Sequence, residues 1–221
     1  MPDSKQNKNT SYARESALAE EEVYGALGAL MGTLEVVATD DLDPVSSAQS
    51  ERLRSALGVC YGLQQQIEAL LILSSSDLEE RLRRGTVRIR PLVEHAVRGA
   101  RRAFETVGVS LTMPPGDDWG RESTRIDSSR VDRTIRALTE LLVTGVGRGG
   151  TIQAEVHKRG SLVELALLGA RAELPPKAPL MPGALLMARA ATRLFTLSGG
   201  AFSFDVEQLA MHISLPLAEV P

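Results

Sequence analysis

The apolar positions of this chain change period part-way along it. Between about 13 and 39 they fall at Val23, Leu27, Leu30, Leu34 and Val37. Alternating steps of four and three place them on one seam of a helix packed in a bundle. Asp40-Asp41-Leu42-Asp43-Pro44 then breaks the helix and signals a new start. A second amphipathic run from about 45 to 83 carries Leu53, Leu57, Cys60, Leu63, Ile67, Leu70 and Leu71. Residues 13–84 therefore predict an antiparallel helical hairpin. One hairpin alone leaves a long apolar seam, and two copies pairing into a four-helix bundle would bury it. The expected assembly is a homodimer.

From residue 85 the pattern shortens and alternates. Gly85 to Pro91 reads as a strand, 92–106 as a helix, 107–113 as a strand after the Gly108 turn, and 114–125 as a Gly/Pro/Asp-rich loop. Residues 127–146 read as a helix with Val131, Ile135, Leu138, Leu141 and Leu142 on its apolar side. Two hairpins are expected, 151–157 with 161–168 and 201–205 with 210–215. Between them lie a proline-rich irregular stretch, 169–182, and a helix, 185–197, stopped by Ser198-Gly199-Gly200. Residues 85–221 thus predict an α+β layer, with helices on one face of a mixed sheet.

Composition narrows the classes. The 221 residues are 43% hydrophobic and 24% charged with a formal net charge of −3, which is a globular balance. Residues 1–12, polar and without periodicity, read as a disordered tail and lack the apolar core of a signal peptide. No window approaches an uninterrupted apolar membrane span. These features predict a cytoplasmic protein with no membrane partner. A single cysteine, Cys60, forms no internal disulfide and falls on an apolar helix seam, a core position. A pI of 5.7 argues against a broad nucleic-acid surface. Arginine outnumbers lysine 21 to 4, and there are only 3 histidines: His95, His157 and His212. They are scattered, show no metal-ligand spacing, and read as ordinary surface or half-buried residues. Walker A, dinucleotide and nucleophile-elbow patterns are missing, and Gly147-Arg148-Gly149-Gly150 reads as a turn.

The order of elements over about 15–217 resembles the transmitter core of bacterial sensor histidine kinases. The resemblance implies a dimerising helical hairpin followed by a Bergerat-type ATPase-like α/β sandwich. Its end is well matched by Leu197-Ser198-Gly199-Gly200 and Ile213-Ser214-Leu215-Pro216-Leu217. The chemical positions depart from the family. Gly32-Thr33-Leu34-Glu35 fits the Gly-x-Leu-Glu that follows the phosphoacceptor histidine, and counting back puts Glu21 at the histidine and Glu22 at the next acid. A carboxylate cannot form phosphohistidine. Glu21 either imitates the charge of the phosphorylated state or belongs to a solvated acidic face with Glu20 and Glu22, which acid runs ordinarily are.

Glu140-Leu141-Leu142-Val143-Thr144-Gly145 stands where the family has its asparagine box. The resemblance implies a magnesium ligand at Thr144, whose short hydroxyl is a poor substitute. Glu140 is open to a base or ligand role or to a surface or capping role. At the first glycine box the chain reads Gly169-Ala170-Arg171-Ala172-Glu173-Leu174-Pro175, with Leu-Pro setting the register. Gly169 then replaces the aspartate that receives the adenine amino group, and losing such a buried partner costs about 1–3 kcal/mol. Arg171 and Glu173 add side chains where the backbone should approach nucleotide. Gly183-Ala184-Leu185-Leu186 retains one glycine of the later box, and the preceding lid, 174–182, holds four prolines. With the phosphoacceptor, metal ligand, base acceptor and glycine loop all altered, the expectation is no catalytic residue, no metal and no cofactor.

Gly25, Gly28 and Gly32, with Ala26 and Ala29, leave one side of the first helix almost bare. Each helical glycine costs about 1 kcal/mol relative to alanine. The strip is either a close-approach surface, where the resemblance implies docking of a receiver domain, or tight packing within the bundle. The basic clusters Arg81, Arg83, Arg84 and Arg98, Arg101, Arg102 read by default as solvated faces.

The resulting expectation is a non-catalytic, histidine-kinase-like (pseudokinase) regulatory protein. Its partner would be a response regulator, another receiver-domain protein or a transcription regulator. Only about 12 residues precede the hairpin, so input is expected from a partner or from expression level rather than from an attached sensor. The alternatives are a histidine-phosphotransferase-like phosphorelay component, which would need a histidine on the first helix, and an atypical ATP-binding protein.

Overall fold

The computed structural model describes residues 23, 25–34, 36–37, 46–114, 122–172 and 183–218. The N-terminal tail, Glu21, Glu22, the 40–44 break, Glu173 and the proline-rich lid lie outside them. Two compact units divide between Ile67 and Glu68.

The first unit contains α1, Gly25–Leu34, and most of α2, Ser47–Ser74. Leu57 and Cys60 on α2 are buried, as their place on the seam predicts. Val23, Leu30, Val36, Val37, Val59 and Leu63 remain exposed. Ala48–Ser74 is long and apolar enough, by length and composition, to cross a membrane. The helix is apolar on average although glutamines and Glu68 interrupt it, so it is not the uninterrupted apolar run whose absence the sequence predicts. A core helix can have the same length and composition, and the end of α2 is one: Ala69 and Ile72 are fully buried in the second unit.

The predicted second helix stops at Ser74, short of 83. Ser75 donates its hydroxyl to Asp77 (2.8 Å), and Asp77 opens α3, Leu78–Arg81. Strand β1 is Gly85–Arg88, shorter than expected, because helix α4, Ile89–Gly99, takes Pro91 into its first turn. A first-turn proline loses no helical hydrogen bond. The helix expected over 92–106 breaks at Ala100 into α4 and α5, Arg101–Val107. Gly108 ends α5 in the left-handed conformation at φ 75°.

β2 is Ser110–Thr112. β3, Ser123–Ile126, is a strand in what reads as the end of a loop, and it pairs antiparallel with β1. Asp127 caps α6, Ser128–Val146, its Oδ1 accepting from the Arg130 N–H at 3.1 Å. β4, Thr151–Arg159, and β5, Leu162–Ala170, form the first expected hairpin. Helix α7, Ala184–Leu197, leads to β6, Ala201–Asp205, and β7, Ala210–Pro216.

The main sheet runs β2-β4-β5-β7-β6. It is mixed, since β2 is parallel to β4 while the other pairs are antiparallel. Alternate residues enter the core: Ile152 and Ala154 on β4, Val163, Leu165 and Leu167 on β5, Met211, Ile213 and Leu215 on β7. They meet Leu138 and Leu142 of α6 and Leu194 and Phe195 of α7 in one apolar cluster. Phe195 stacks on Phe202 with ring centroids 5.9 Å apart. The fold class is α+β, as the alternating pattern predicts.

Candidate functional site

The C-terminal half of α6, the end of β5 and the β6–β7 loop converge beneath the positions singled out in the sequence. α6 is helical because its apolar residues recur every third or fourth position, and it ends at Gly147, φ 77°. Its last turns present Glu140 and Thr144 on one side. Glu140 is paired with Arg136 one turn earlier, Oε1 lying 3.0 Å from Nε. Thr144 is exposed, and its hydroxyl donates to the Glu140 carbonyl at 2.9 Å, a bond within its own helix. Glu140 Oε1 and the Thr144 hydroxyl are thus both engaged locally. Among the described residues no group of three or more His, Cys, Asp or Glu side chains is placed to hold a metal.

Gly169 lies at the end of β5 and donates its N–H to the Leu209 carbonyl at 2.9 Å. A Cβ at this position would come 2.5 Å from Val146 Cγ2 and 3.1 Å from Leu209 Cβ. The space an acidic side chain would need is filled by apolar atoms. Arg171 reaches back over the end of α6, Nε donating to the Gly145 carbonyl at 3.0 Å. Gly183 opens α7 in a left-handed conformation, φ 90°, and accepts from the Met187 N–H. Among the described residues these positions do not fit a magnesium nucleotide: Gly169, where the resemblance implies a base acceptor, has no polar side chain, and Thr144, where it implies a metal ligand, has its hydroxyl turned to its own helix.

Val146 and Leu209 escaped the sequence reading. Leu209 is the one described non-glycine residue with positive φ, 52°. Only its fold neighbours, Gly145 and Gly169, hint at why.

The histidines take no part. His95 Nδ1 lies 2.8 Å from Asp132 Oδ1 at an exposed position, and His157 Nε2 lies 3.4 Å from Glu155. His212 is exposed on β7.

On α1, Gly25, Gly28, Ala29 and Gly32 are all exposed, and an added Cβ at any of the three glycines meets nothing within 4 Å. The tight-packing alternative therefore has no counterpart within one copy of the chain among the described residues.

No family model and no curated protein matches this chain. Solved structures do. Full-length ShkA in complex with AMPPNP is 15% identical over 94% of this chain and 46% of its own, with a TM-score of 0.57. Histidine kinase ThkA in complex with the response regulator protein TrrA is 11% identical over 97% of this chain and 64% of its own, with a TM-score of 0.53. Acinetobacter baumannii histidine kinase AdeS is 9% identical over 88% and 96%, also at 0.53. At these identities the likeness is one of fold, and it runs through both units. The chain has the fold of a histidine-kinase transmitter core.

Proposed function

We propose that this chain is a non-catalytic, histidine-kinase-like regulator. It acts in the cytoplasm as a homodimer and controls a response regulator or transcription regulator by docking. The observation that carries this reading is the state of the nucleotide-site positions. Glu140, Thr144, Gly169 and Arg171 are each bonded or packed within the protein in ways that compete with Mg–ATP. The fold is kept while its chemistry is not.

Docking is supported by the open strip at Gly25, Gly28, Ala29 and Gly32, where another helix can approach a bare backbone. ThkA, similar in fold, was solved in complex with a response regulator. Homodimerisation is supported by exposed Leu30, Val37, Val59 and Leu63 on the two helices of the first unit.

The test uses purified full-length protein and a panel of purified receiver domains. At least one is expected to bind, and Gly32→Leu is expected to weaken that binding about tenfold without lowering Tm. No labelled phosphate should transfer from ATP with magnesium. Binding by no receiver domain, or phosphate incorporation by the wild type, defeats the reading.

A further inference from the structure

Leu209 occupies a position that a leucine avoids. Its backbone is left-handed at φ 52°, a conformation that crowds a branched L side chain. Such residues persist where their surroundings over-determine them. Three features do so here. The Asp205 carboxylate holds the preceding loop, Oδ1 accepting from the N–H groups of Glu207 and Gln208, both at 2.9 Å. The Leu209 carbonyl is tied to the Gly169 N–H. The side chain is seated, with the residue only 5% exposed.

Its seat is made by two glycines. A Cβ on Gly145 would lie 2.9 Å from Leu209 Cδ2, and one on Gly169 would lie 3.1 Å from Leu209 Cβ. Val146 closes the side toward β5, and Arg171 spans the helix end above. The leucine therefore lies between the end of α6 and the end of β5, and its side chain brings no polar atom there.

We propose that Leu209 is a plug. Its side chain fills the place between Gly145 and Gly169 that a nucleotide base would enter, and shortening it opens the site to a purine nucleoside. This rests on the reading of the chain as a kinase-like fold without nucleotide chemistry. It adds that closure is an act of packing, by Leu209 with Val146 beside it, not only the loss of an acceptor at Gly169.

The test has two arms on the full chain. Urea unfolding of wild type, Gly145→Ala, Leu209→Ala and the double variant forms a cycle. In the wild type the new methyl must push Leu209 aside; in the Leu209→Ala background that contact is gone. The expected coupling is about tenfold in the folding equilibrium constant. The second arm titrates adenosine and follows Tm. Leu209→Ala, and Leu209→Gly, which also relieves the positive φ, should be stabilised, while the wild type should not respond. An additive cycle, a wild-type response, or no response in either variant overturns the plug. Failure of the functional reading shows up separately, as binding by no receiver domain, and leaves both arms intact.

Discussion

Glu68 on α2 and Arg133 on α6 form an ion pair at 3.2 Å that joins two helices of the second unit, and Glu68 is its buried member. The Glu68 side chain is 7% exposed and Arg133 is 42% exposed. Arg130 continues the chain of charges, 4.0 Å from Glu68 and 3.9 Å from Asp127, whose Oδ2 accepts from the Arg83 N–H at 3.0 Å. The end of α2, the segment before β1 and the start of α6 are tied by one ionic run. Removing its buried end takes the Glu68 carboxylate from both Arg130 and Arg133. Glu68→Ala should destabilise by about 2–4 kcal/mol. Arg133→Ala should cost less, because its exposed guanidinium is screened and Glu68 keeps Arg130. Urea unfolding of the two variants checks the order, and equal losses would refute it.

Arg193 on α7 donates through Nη1 to the Leu73 carbonyl and through Nη2 to the Ser75 carbonyl. Leu73 is in the last turn of α2, whose final carbonyls have no partner in their own helix, and Ser75 follows its end. Arg84 does the same for α7, its Nη2 donating to the Leu197 carbonyl at 2.8 Å. Because both bonds of Arg193 come from one planar fork, lysine cannot replace it. Arg193→Lys is expected to raise amide exchange at Ser75–Asp77 at least several-fold, with little change around β5. Unchanged exchange there would mean that the fork does not hold the helix end in solution.

Such long-range contacts mark the limit of what the pattern along the chain reveals. Period-three and period-four spacing locates α2, α6 and α7, and alternation locates both hairpins of the main sheet, since each element buries a face of its own. The end of α2 is set otherwise, by Arg193 lying far along the chain, so the second helix reads too long. β3 is missed because four residues beside a Gly/Pro/Asp-rich stretch carry no period, and its partner β1 supplies the ladder. At the site, the Leu174-Pro175 anchor and the apolar period of α6 suffice to place Gly169 at a strand end and Thr144 on a helix end. Nothing local distinguishes Leu209, whose part follows from two glycines contributed by other elements.

Acid should expose one titrating group. The Ser75 hydroxyl hydrogen-bonded to Asp77 holds its carboxyl below the ordinary value of 3.8; burial opposes this slightly, while its own backbone N–H and Arg81 assist. A carboxyl whose folded pKa is depressed adds stability above its unfolded value, and that stability is lost as pH falls through the folded value. The contribution is therefore full at neutral pH and disappears below 3.8. Asp77→Asn should flatten the acid limb of the stability curve while leaving the shape between pH about 6 and 8 unchanged. Ser75→Ala should do the same more weakly, since the backbone bond and Arg81 remain. Superimposable acid limbs for wild type and both variants would sink the assignment.

Two glycines should answer the same substitution in opposite ways. At Gly200, an added Cβ would overlap the Ser214 carbonyl oxygen and stand 3.0 Å from its carbon. Both are backbone atoms of β7, which is paired on one side with β5 and on the other with β6. Neither can move without opening the ladder beneath the Phe195–Phe202 stack. Gly200→Ala is expected to cost about 3 kcal/mol or more. At Gly32 the added methyl meets nothing, and it lies inside a helix where alanine is favoured over glycine by about 1 kcal/mol. Gly32→Ala should leave the fold intact and stabilise α1. If the strip at Gly25, Gly28 and Gly32 is a docking face, the gain in stability will come with weaker receiver binding, because a methyl already holds a partner helix away from the backbone. The two measurements are an unfolding midpoint and a binding isotherm on the same variant. A rise in both would remove the reason for three glycines on that face.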